Sequence, residues 1–324
     1  MRILVTGVAG FVGRHLLGHV VTAGGCEVHG VDHASLDAMA EAGELRSGLA
    51  SYRPLDITDA AAMEAWVREE KPDAIVHLAA QASGAESLER PAATYRVNAL
   101  GALNLLEAAR VAASKAAILI VGSADIYGSG PAGARIREDA PIRPSNPYAV
   151  SKAAQDSLGE VYAATYGLRV IRTRTFTHTG PGQRPRFALA GFADQLARID
   201  AGLAPAEILV GNLDTVREYG DVRDVVRAYR LLLERGEAGE AYNVGTGRGF
   251  VLRELLDRLI GISRVSAQVK TDPARLRARD VDHLVGDPAK LEARTGWTPA
   301  YSIDQTLADL FRDARERVRR ETGR

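Results

Sequence analysis

Tyr148 and Lys152 stand four residues apart in a stretch whose apolar residues recur at helical spacing after Pro147. Side chains at positions i and i+4 of a helix project from the same face, about one turn apart. A tyrosine with its ordinary pKa of about 10 is a poor acid–base catalyst at neutral pH, and a neighbouring ammonium lowers that pKa toward the working range. The spacing predicts a proton donor, although such a pair is also common on a solvated helix face.

Ser123 follows an apolar segment, 117–122, that is predicted to be a strand. Its hydroxyl could bond the same substrate oxygen as Tyr148, which would suit hydride transfer from a nicotinamide to a carbonyl. A serine after a strand is more often an ordinary turn residue. The order of Ser123, Tyr148 and Lys152 behind a glycine-rich segment nevertheless favours an enzyme.

The glycine-rich segment lies near the start of the chain, where Gly7, Gly10 and Gly13 follow an apolar run and precede a helical pattern. In dinucleotide-binding turns, the first glycine allows the sharp turn, the second lets the backbone approach the pyrophosphate, and the third lets the helix pack closely on its strand. The spacing GxxGxxG differs from the commonest fingerprint, GxGxxG. Because glycine-rich turns also serve as plain connectors, the segment alone leaves both interpretations open.

Asp32 ends a second predicted strand, 27–31, roughly 20 residues beyond the glycines, where an acidic side chain can bond the ribose 2′-hydroxyl of NAD. The other interpretation is a turn or N-cap aspartate. The ribose role predicts NAD(H) as the favoured cofactor. NADP(H) stays possible, because Arg46 or Arg53 could reach a 2′-phosphate.

Apolar strands and amphipathic helices alternate along the chain, which predicts an α/β fold with a doubly wound, mainly parallel (Rossmann) sheet. The functional groups should gather at the carboxyl ends of the strands. A short strand and a capped helix start are predicted over 54–59, where Asp56 could contact the adenine ring. The strand over 71–80 runs into the small residues Ala79 and Ala80, which lets backbone lie flat against a cofactor. Helices are predicted over 94–113, 148–165, 222–234 and 303–320, and a strand over 241–244.

The composition is that of an ordinary globular protein, with 324 residues of which 46% are hydrophobic and 25% charged. Lys plus Arg equals Asp plus Glu at 41 each, so no global charge favours nucleic acid or an anionic membrane as partner. The single cysteine, Cys26, excludes an internal disulfide and a Cys-rich metal site, and no metal is predicted. With neither a signal peptide nor a membrane span in the pattern, a cytoplasmic location is expected.

Segments 6–13, 77–80, 123–128 and 146–152 resemble the extended short-chain dehydrogenase/reductases that act on nucleotide sugars. The resemblance implies that Ser123, Tyr148 and Lys152 form the catalytic group and that Lys152 also holds the nicotinamide ribose. The remaining cofactor contacts expected for this fold are Phe11, Val12, Ile57, Leu78, Asn98, Phe176 and His178.

Segments 178–183, 211–224, 272–281 and 295–299 resemble GDP-mannose 4,6-dehydratases and the related GDP-4-keto-6-deoxymannose reductases. By this resemblance Arg217 and Arg277 would grip the diphosphate and Asp280 the guanosine ribose, roles that suit guanidinium and carboxylate groups. The other interpretation of the arginines around 277 is a solvated charged segment. Asn212 and Thr177 are further candidate substrate residues, with Thr177 standing where the family usually has an asparagine.

The resemblance also bears on the reaction. In the dehydratases a glutamate stands two residues after the catalytic hydroxyl, with a polar residue between, whereas this chain has Asp125 and Ala124 at those places. The elimination step needs a base and a second proton donor, so the pattern favours reduction of the 4-keto group of a GDP-4-keto-6-deoxyhexose. Asp125 is a candidate catalytic residue or a residue that shapes the pocket. The alternatives are a GDP-mannose 4,6-dehydratase, a nucleotide-sugar 4-epimerase and, less favoured, a non-catalytic dinucleotide sensor.

Two lobes are expected. Residues 1–172 and 220–248 would form the dinucleotide-binding domain, and residues 173–219 and 249–324 a smaller α/β lobe that binds the nucleotide sugar. By resemblance, the helices around 102–109 and 153–161 would pair across a two-fold axis as a four-helix bundle, which predicts a homodimer.

Overall fold

The computed structural model describes residues 1–36, 42–276 and 281–323. Its strands, in chain order, are β1 (Arg2–Thr6), β2 (Glu27–Asp32), β3 (Ser51–Pro54), β4 (Ala74–His77), β5 (Ala117–Val121), β6 (Val170–Thr175), β7 (His178–Thr179), β8 (Glu207–Val210), β9 (Val216–Glu218), β10 (Gly220–Asp221), β11 (Ala241–Val244), β12 (Gly249–Val251), β13 (Gln268–Thr271) and β14 (His283–Leu284). Its α-helices are α1 (Phe11–Ala23), α2 (Ala42–Gly48), α3 (Ala60–Glu70), α4 (Gly84–Glu89), α5 (Pro91–Tyr95), α6 (Gly101–Ala112), α7 (Pro147–Tyr166), α8 (Ala188–Asp200), α9 (Val222–Arg235), α10 (Leu252–Ser263), α11 (Ala289–Thr295) and α12 (Ile303–Thr322).

Seven parallel strands form the main sheet in the order β11-β6-β5-β4-β1-β2-β3. The register pairs Thr6 with His77, and His77 with Ile120, so β1, β4 and β5 end at one edge. Helices cover both faces: α1 and α9 pack on one face, and α3, α6 and α7 on the other. This arrangement confirms the predicted α/β doubly wound fold, and it brings the residues after Thr6, His77 and Val121 together.

The strand predicted to begin at Pro54 is wrong, whereas the capped helix start predicted at the end of segment 54–59 is confirmed. β3 ends at Pro54 instead of starting near it, and Asp59 accepts a hydrogen bond from the Ala62 N–H to cap α3. The apolar residues Leu55 and Ile57 that suggested a strand are buried as single side chains in the core between the sheet and α3.

The predicted helix 94–113 contains an irregular turn. α5 and α6 are joined by a π-helical turn, Arg96–Leu100, which carries Asn98. Such turns insert an extra residue into a helix and are frequent at functional sites. Here the turn directs the amide of Asn98 toward the loop after β4.

A second hydrophobic core lies among α8, α10 and α12, with Leu196, Leu255 and Leu310 in its interior. Two small sheets, β8 with β13 and β9 between β12 and β14, belong to this part of the chain. Leu291 and Trp297 instead pack in the core under the main sheet, beside α9. Among the described residues, no helix is long and apolar enough to cross a membrane.

Candidate active site

The turn between β1 and α1 has the backbone shape of a phosphate cradle. Gly7 adopts a φ of +71°, and a Cβ there would lie 2.7 Å from the backbone nitrogen of Ala79. A Cβ on Gly13 would collide with the carbonyl oxygen of Gly7, so only glycine lets α1 approach this turn. Gly10 is the N-cap of α1 and has no side chain, so no capping side chain from this position occupies the first N–H groups at the positive end of the helix dipole. The residues present therefore fit a dinucleotide pyrophosphate.

Asp32 lies at the end of β2 beside this cradle. Its Oδ2 accepts from the Ala9 N–H at 3.2 Å, and its Oδ1 accepts from the His33 backbone N–H at 2.8 Å. The His33 ring nitrogen Nδ1 is also 2.8 Å from Oδ1. The carboxylate is thus fixed next to the glycine turn, in the position expected of a group that bonds a ribose hydroxyl.

The residues at the end of β4 pack against the glycine turn. His77 is fully buried, and its Nδ1 lies 2.8 Å from the Thr6 hydroxyl, which also accepts from the Ala79 N–H. Burial lowers the pKa of His77 to about 3, so the imidazole is neutral at working pH. Leu78, Ala79 and Ala80 are partly exposed at this edge.

The side chain of Asn98 is fully used within the protein. Its Oδ1 accepts from the Gln81 N–H at 2.8 Å, and its Nδ2 donates to the Gln81 carbonyl and to the Ser151 hydroxyl. Asn98 therefore ties the loop after β4 to α7, and its contact with the cofactor stays a prediction.

The predicted catalytic side chains meet at the carboxyl end of β5. Ser123 caps a short 3₁₀ turn, Ala124–Tyr127, and its hydroxyl accepts from the Asp125 N–H at 3.2 Å. Burial and the nearby Asp125 carboxylate raise the pKa of Tyr148, and a hydrogen bond with Ser123 opposes that shift. Tyr148 is therefore held as a protonated phenol, and the direction of its pKa shift is opposite to the lowering that the sequence predicted from the neighbouring ammonium.

Lys152 lies one turn further along α7 and is 4% exposed. Its Nζ donates to the Val121 carbonyl at 3.0 Å and to Gln155 Oε1 at 2.7 Å. Burial lowers the pKa of Lys152 to about 7. The ammonium thus lies beneath the end of β5, held by neutral oxygens.

The aromatic and apolar residues assigned to the cofactor lie in two places, at the start of α1 and in the core beneath the turn that carries Ser123. Phe11 and Val12 begin α1 and are partly exposed, and the ring of Phe11 stacks on His178 with centroids 6.1 Å apart. Burial lowers the pKa of His178, whose Nδ1 lies 3.0 Å from the Phe176 carbonyl oxygen. Phe176 itself is buried against Tyr127.

Asp56 and Ile57 lie in the loop that follows β3. The exposed Asp56 accepts from the Thr58 N–H at 2.9 Å. Ile57 is buried, and its carbonyl accepts from Asn104 at 3.0 Å. A contact of Asp56 with adenine stays a prediction.

The predicted substrate residues come from separate elements. Ala124 is buried beside Ser123, Thr177 is partly exposed after β6, and Asn212 forms a turn by accepting from the Asp214 N–H. Arg217 lies on β9 and donates to the Val281 carbonyl at 3.4 Å. Arg277 and Asp280 lie outside the described residues, so their proposed contacts stay predictions.

Sequence reasoning missed several polar groups around this site. Gln155 accepts a hydrogen bond from Lys152, and the Tyr229 hydroxyl on α9 lies 2.8 Å from the Thr175 hydroxyl and near enough to Tyr148 to raise its pKa. Helical spacing from Lys152 could have indicated Gln155, because a residue three positions on shares its face. Tyr229 carries no local signal, since only the sheet brings α9 to this edge.

A buried ionic network lies on α7 immediately beyond the site. Asp156 Oδ2 is 2.8 Å from Arg172 NH1 and 2.9 Å from Arg174 NH2, and all three side chains are buried. Arg174 also donates to the Tyr127 hydroxyl at 3.0 Å. The network joins α7 and β6 to the turn that carries Ser123.

A further buried carboxylate lies on β9 beside Arg217. Glu218 accepts from the Thr246 N–H at 2.8 Å and from the Gly286 N–H at 2.7 Å, and burial raises its pKa to about 7. It joins the loop after β11 to the segment after β14.

The fold, the glycine turn and the Ser123, Tyr148 and Lys152 group define an extended short-chain dehydrogenase/reductase. Residues 4–310 match the family model described as GDP-mannose 4,6 dehydratase, and the chain belongs to this family. GDP-6-deoxy-D-mannose reductase of Pseudomonas aeruginosa is 37% identical over 326 residues, covering 99% of both chains.

Similar solved structures also bind a nicotinamide dinucleotide. RMD from Pseudomonas aeruginosa, complexed with NADPH, has a TM-score of 0.84 and 34% identity, covering 98% of this chain and 99% of that one. UDP-glucose 4-epimerase of Thermus thermophilus, in complex with NAD, has a TM-score of 0.87 and 34% identity, covering 97% of this chain and 99% of that one. The predicted class, an NAD(P)-dependent nucleotide-sugar oxidoreductase, is confirmed.

Proposed function

We propose that this protein reduces the 4-keto group of a GDP-4-keto-6-deoxyhexose, with NAD(P)H as reductant, to give a GDP-6-deoxyhexose of the GDP-rhamnose type. The proposal rests on the complete set of three catalytic side chains and on the non-polar side chain of Ala124 beside them. Ser123, Tyr148 and Lys152 meet at the end of β5, while Ala124 offers no second polar group. Full-length similarity to a GDP-6-deoxy-D-mannose reductase supports the same reaction.

Each residue has a defined task in this reaction. Tyr148 holds the proton that the substrate oxygen receives, and Ser123 orients that oxygen by a hydrogen bond. Lys152 supplies a positive charge that stabilises the phenolate left after proton transfer. When bound, the reduced nicotinamide supplies the hydride.

The dehydratase alternative needs more from the site. Elimination of water from C6 requires a base at C5 and an acid at the leaving hydroxyl. Asp125 is partly exposed and close enough to Tyr148 to raise its pKa, but its side chain is shorter than that of glutamate and its neighbour Ala124 is non-polar. We therefore assign Asp125 to shaping the sugar pocket. An epimerase would use the same three groups and stays an outcome of the test below.

The cofactor lies, in this proposal, between the glycine turn and the end of β4, with Asp32 at the adenine ribose. The fixed carboxylate favours NADH, because a 2′-phosphate would meet a negative charge. The neighbours that hold NADPH and NAD support binding of either cofactor in this family.

The sugar nucleotide would bind between the two expected lobes, 1–172 with 220–248 and 173–219 with 249–324. Arg217 is the described arginine assigned to the diphosphate, with Arg277 as its partner and Asp280 at the guanosine ribose. Guanidinium groups bind phosphate oxygens through two parallel hydrogen bonds. Thr177 and Asn212 complete the proposed substrate contacts.

The test is nicotinamide absorbance after the purified protein is mixed with NADH or NADPH and GDP-4-keto-6-deoxymannose, with GDP-mannose as parallel substrate. Oxidation of the reduced cofactor by the keto sugar supports the reductase and ranks the two cofactors. Conversion of GDP-mannose without net absorbance change would mean a closed redox cycle, and the dehydratase or epimerase would replace the reductase.

We further propose a cytoplasmic homodimer formed through α6 and α7. Val111 on α6 and Val150, Val161 and Tyr166 on α7 are large apolar side chains that are about half exposed. A neighbouring helix pair from a second copy would cover them in a four-helix bundle. Light scattering at micromolar concentration should give twice the chain mass, and a monomer would exclude this assembly.

A further inference from the structure

Gln155 is buried on α7, three residues after Lys152, with an exposed fraction of 0%. Its Oε1 accepts from Lys152 Nζ at 2.7 Å, whereas its Nε2 has no hydrogen-bond partner among the described residues. Burial of an amide with one end unsatisfied costs stability. A packing role alone would be better filled by an apolar side chain, so the carbonyl end must matter.

The ammonium of Lys152 has three N–H donors. Two of them go to carbonyl oxygens, those of Val121 and Gln155, and neither acceptor carries a charge. In the part of the chain that the structure describes, no carboxylate forms an ion pair with Lys152. The positive charge is therefore held without being cancelled, and these two contacts use two of its three N–H donors.

We infer that Gln155 is a positioning residue whose neutral carbonyl keeps the Lys152 ammonium charged and directed at the catalytic phenol. The inference rests on the proposed catalytic roles of Tyr148 and Lys152. A carboxylate at position 155 would hold the ammonium equally well but would offset its field at Tyr148. An apolar side chain would remove one of two acceptors from a buried charge.

The surroundings make this acceptor important. Burial lowers the pKa of Lys152 to about 7, so its charge is sensitive to small changes in its surroundings near neutral pH. The titratable groups that face the Lys152 and Tyr148 pair from other elements are His77 on β4, Asp125 on the 3₁₀ turn and Tyr229 on α9. None of these three side chains forms a hydrogen bond with Lys152 Nζ. Among the described residues, Gln155 is therefore the side chain that stabilises the charged form of Lys152 by direct contact.

The test compares Gln155→Met and Gln155→Glu, two replacements of similar size, by the pH profile of kcat/KM for reduction of the keto sugar. The profile should fall at alkaline pH when the coupled Lys152 and Tyr148 pair loses a proton. In Gln155→Met, the ammonium loses a hydrogen-bond acceptor, so we expect the midpoint of this alkaline limb to fall by about one pH unit. In Gln155→Glu, the ammonium gains a neighbouring anion, so we expect the midpoint to rise by about one pH unit.

Asp156→Asn is the matched control, because Asp156 is the next residue on α7, is equally buried, and bonds to Arg172 and Arg174 instead of Lys152. It should lower thermal stability and leave the alkaline limb in place. Uniformly lower rates in both Gln155 variants, with the limb unmoved, would overturn the inference. Full activity of Tyr148→Phe and Lys152→Ala would instead refute the proposed catalytic group, whatever the Gln155 variants do.

Discussion

Two buried polar clusters share helix α7, and they differ in how their charges are balanced. Around Lys152 the single positive charge meets two neutral carbonyl oxygens, and the amide nitrogen of Gln155 has no partner among the described residues. Around Asp156 the carboxylate meets two guanidinium groups, from Arg172 and Arg174. The clusters are separated by less than two turns of the same helix.

We interpret this difference as a division of roles, in which the Lys152 cluster serves catalysis and the Asp156 cluster stabilises the fold. Paired buried charges fix α7 against β6 and, through Tyr127, against the turn that carries Ser123. The unbalanced charge of Lys152 is unfavourable for folding but useful for catalysis, because only an uncancelled charge stabilises a phenolate. Removing a member of the Lys152 cluster should therefore change the rate, and removing a member of the Asp156 cluster should change the stability.

The largest effect is expected for Tyr148→Phe. Loss of the proton donor should lower kcat for reduction by about 10² to 10⁴. The dissociation constant of the reduced cofactor, measured by fluorescence titration, should stay nearly the same, since the phenol hydroxyl acts on the substrate oxygen. Unchanged turnover would refute the assignment of Tyr148 as proton donor.

Asp156→Ala tests the supporting cluster. It would leave the buried guanidinium groups of Arg172 and Arg174 without their shared carboxylate, and breaking a buried pair in this way costs about 3 to 5 kcal/mol. The free energy of unfolding in urea measures the loss. Glu160→Ala is the control: Glu160 lies 2.8 Å from Arg172 NH1 but is exposed, so its loss should cost about 1 kcal/mol or less.

Lys152→Met should abolish most turnover and yet raise the melting temperature at pH 6 to 7, by about 2 to 4 °C for each kcal/mol gained. The pKa of Lys152 is lowered from 10.5 to about 7, so between these values the folded chain binds fewer protons than the unfolded chain. Stability from this group therefore rises with pH across that window, and the cost of the buried charge is fully present below it.

Calorimetry across pH 6 to 10 measures this effect. In Lys152→Met the rise of stability between pH 7 and 10 should be reduced. Lys115→Met, at an exposed position, should keep the pH dependence of the parent protein. A lower melting temperature for Lys152→Met at pH 6 would contradict the view that this charge is unfavourable for folding.

The charge of Asp32 is balanced less fully than that of Asp156 and more fully than that of Lys152. Its oxygens accept hydrogen bonds from backbone N–H groups, and its negative charge remains available to a ribose. Asp32→Asn removes the charge and keeps the shape. We expect the ratio of the NADPH and NADH dissociation constants to shift toward NADPH by about tenfold, which corresponds to roughly 1.4 kcal/mol. His33→Ala should leave that ratio closer to the parent value, and an equal shift in both variants would remove Asp32 as its determinant.

The main sheet could be predicted well from the sequence because its signals are local. The apolar runs of β1, β5 and β11 and the helix after Pro147 fall within a residue or two of their predicted bounds. Ser123 could be predicted at the carboxyl edge of the sheet because it follows a strand. Tyr148 and Lys152 could be predicted to share a helix face from their spacing, and the resemblance implied that the three residues form one group.

The parts that could not be predicted depend on contacts between distant segments. Asp156 pairs with Arg174 only because α7 packs on β6. Tyr229 comes close enough to Tyr148 to affect its pKa only because α9 packs against the same sheet. The strand expected after Pro54 was wrong because Leu55 and Ile57 are buried one by one in a loop, which mimics the alternation of a strand.

The Val121 carbonyl that holds Lys152 belongs to the backbone, so no substitution can remove it. Of the two groups that accept a hydrogen bond from Lys152 Nζ, only the side chain at position 155 can therefore be changed by substitution. Neutral, acidic and apolar side chains there would give enzymes with the same catalytic group and different working pH ranges.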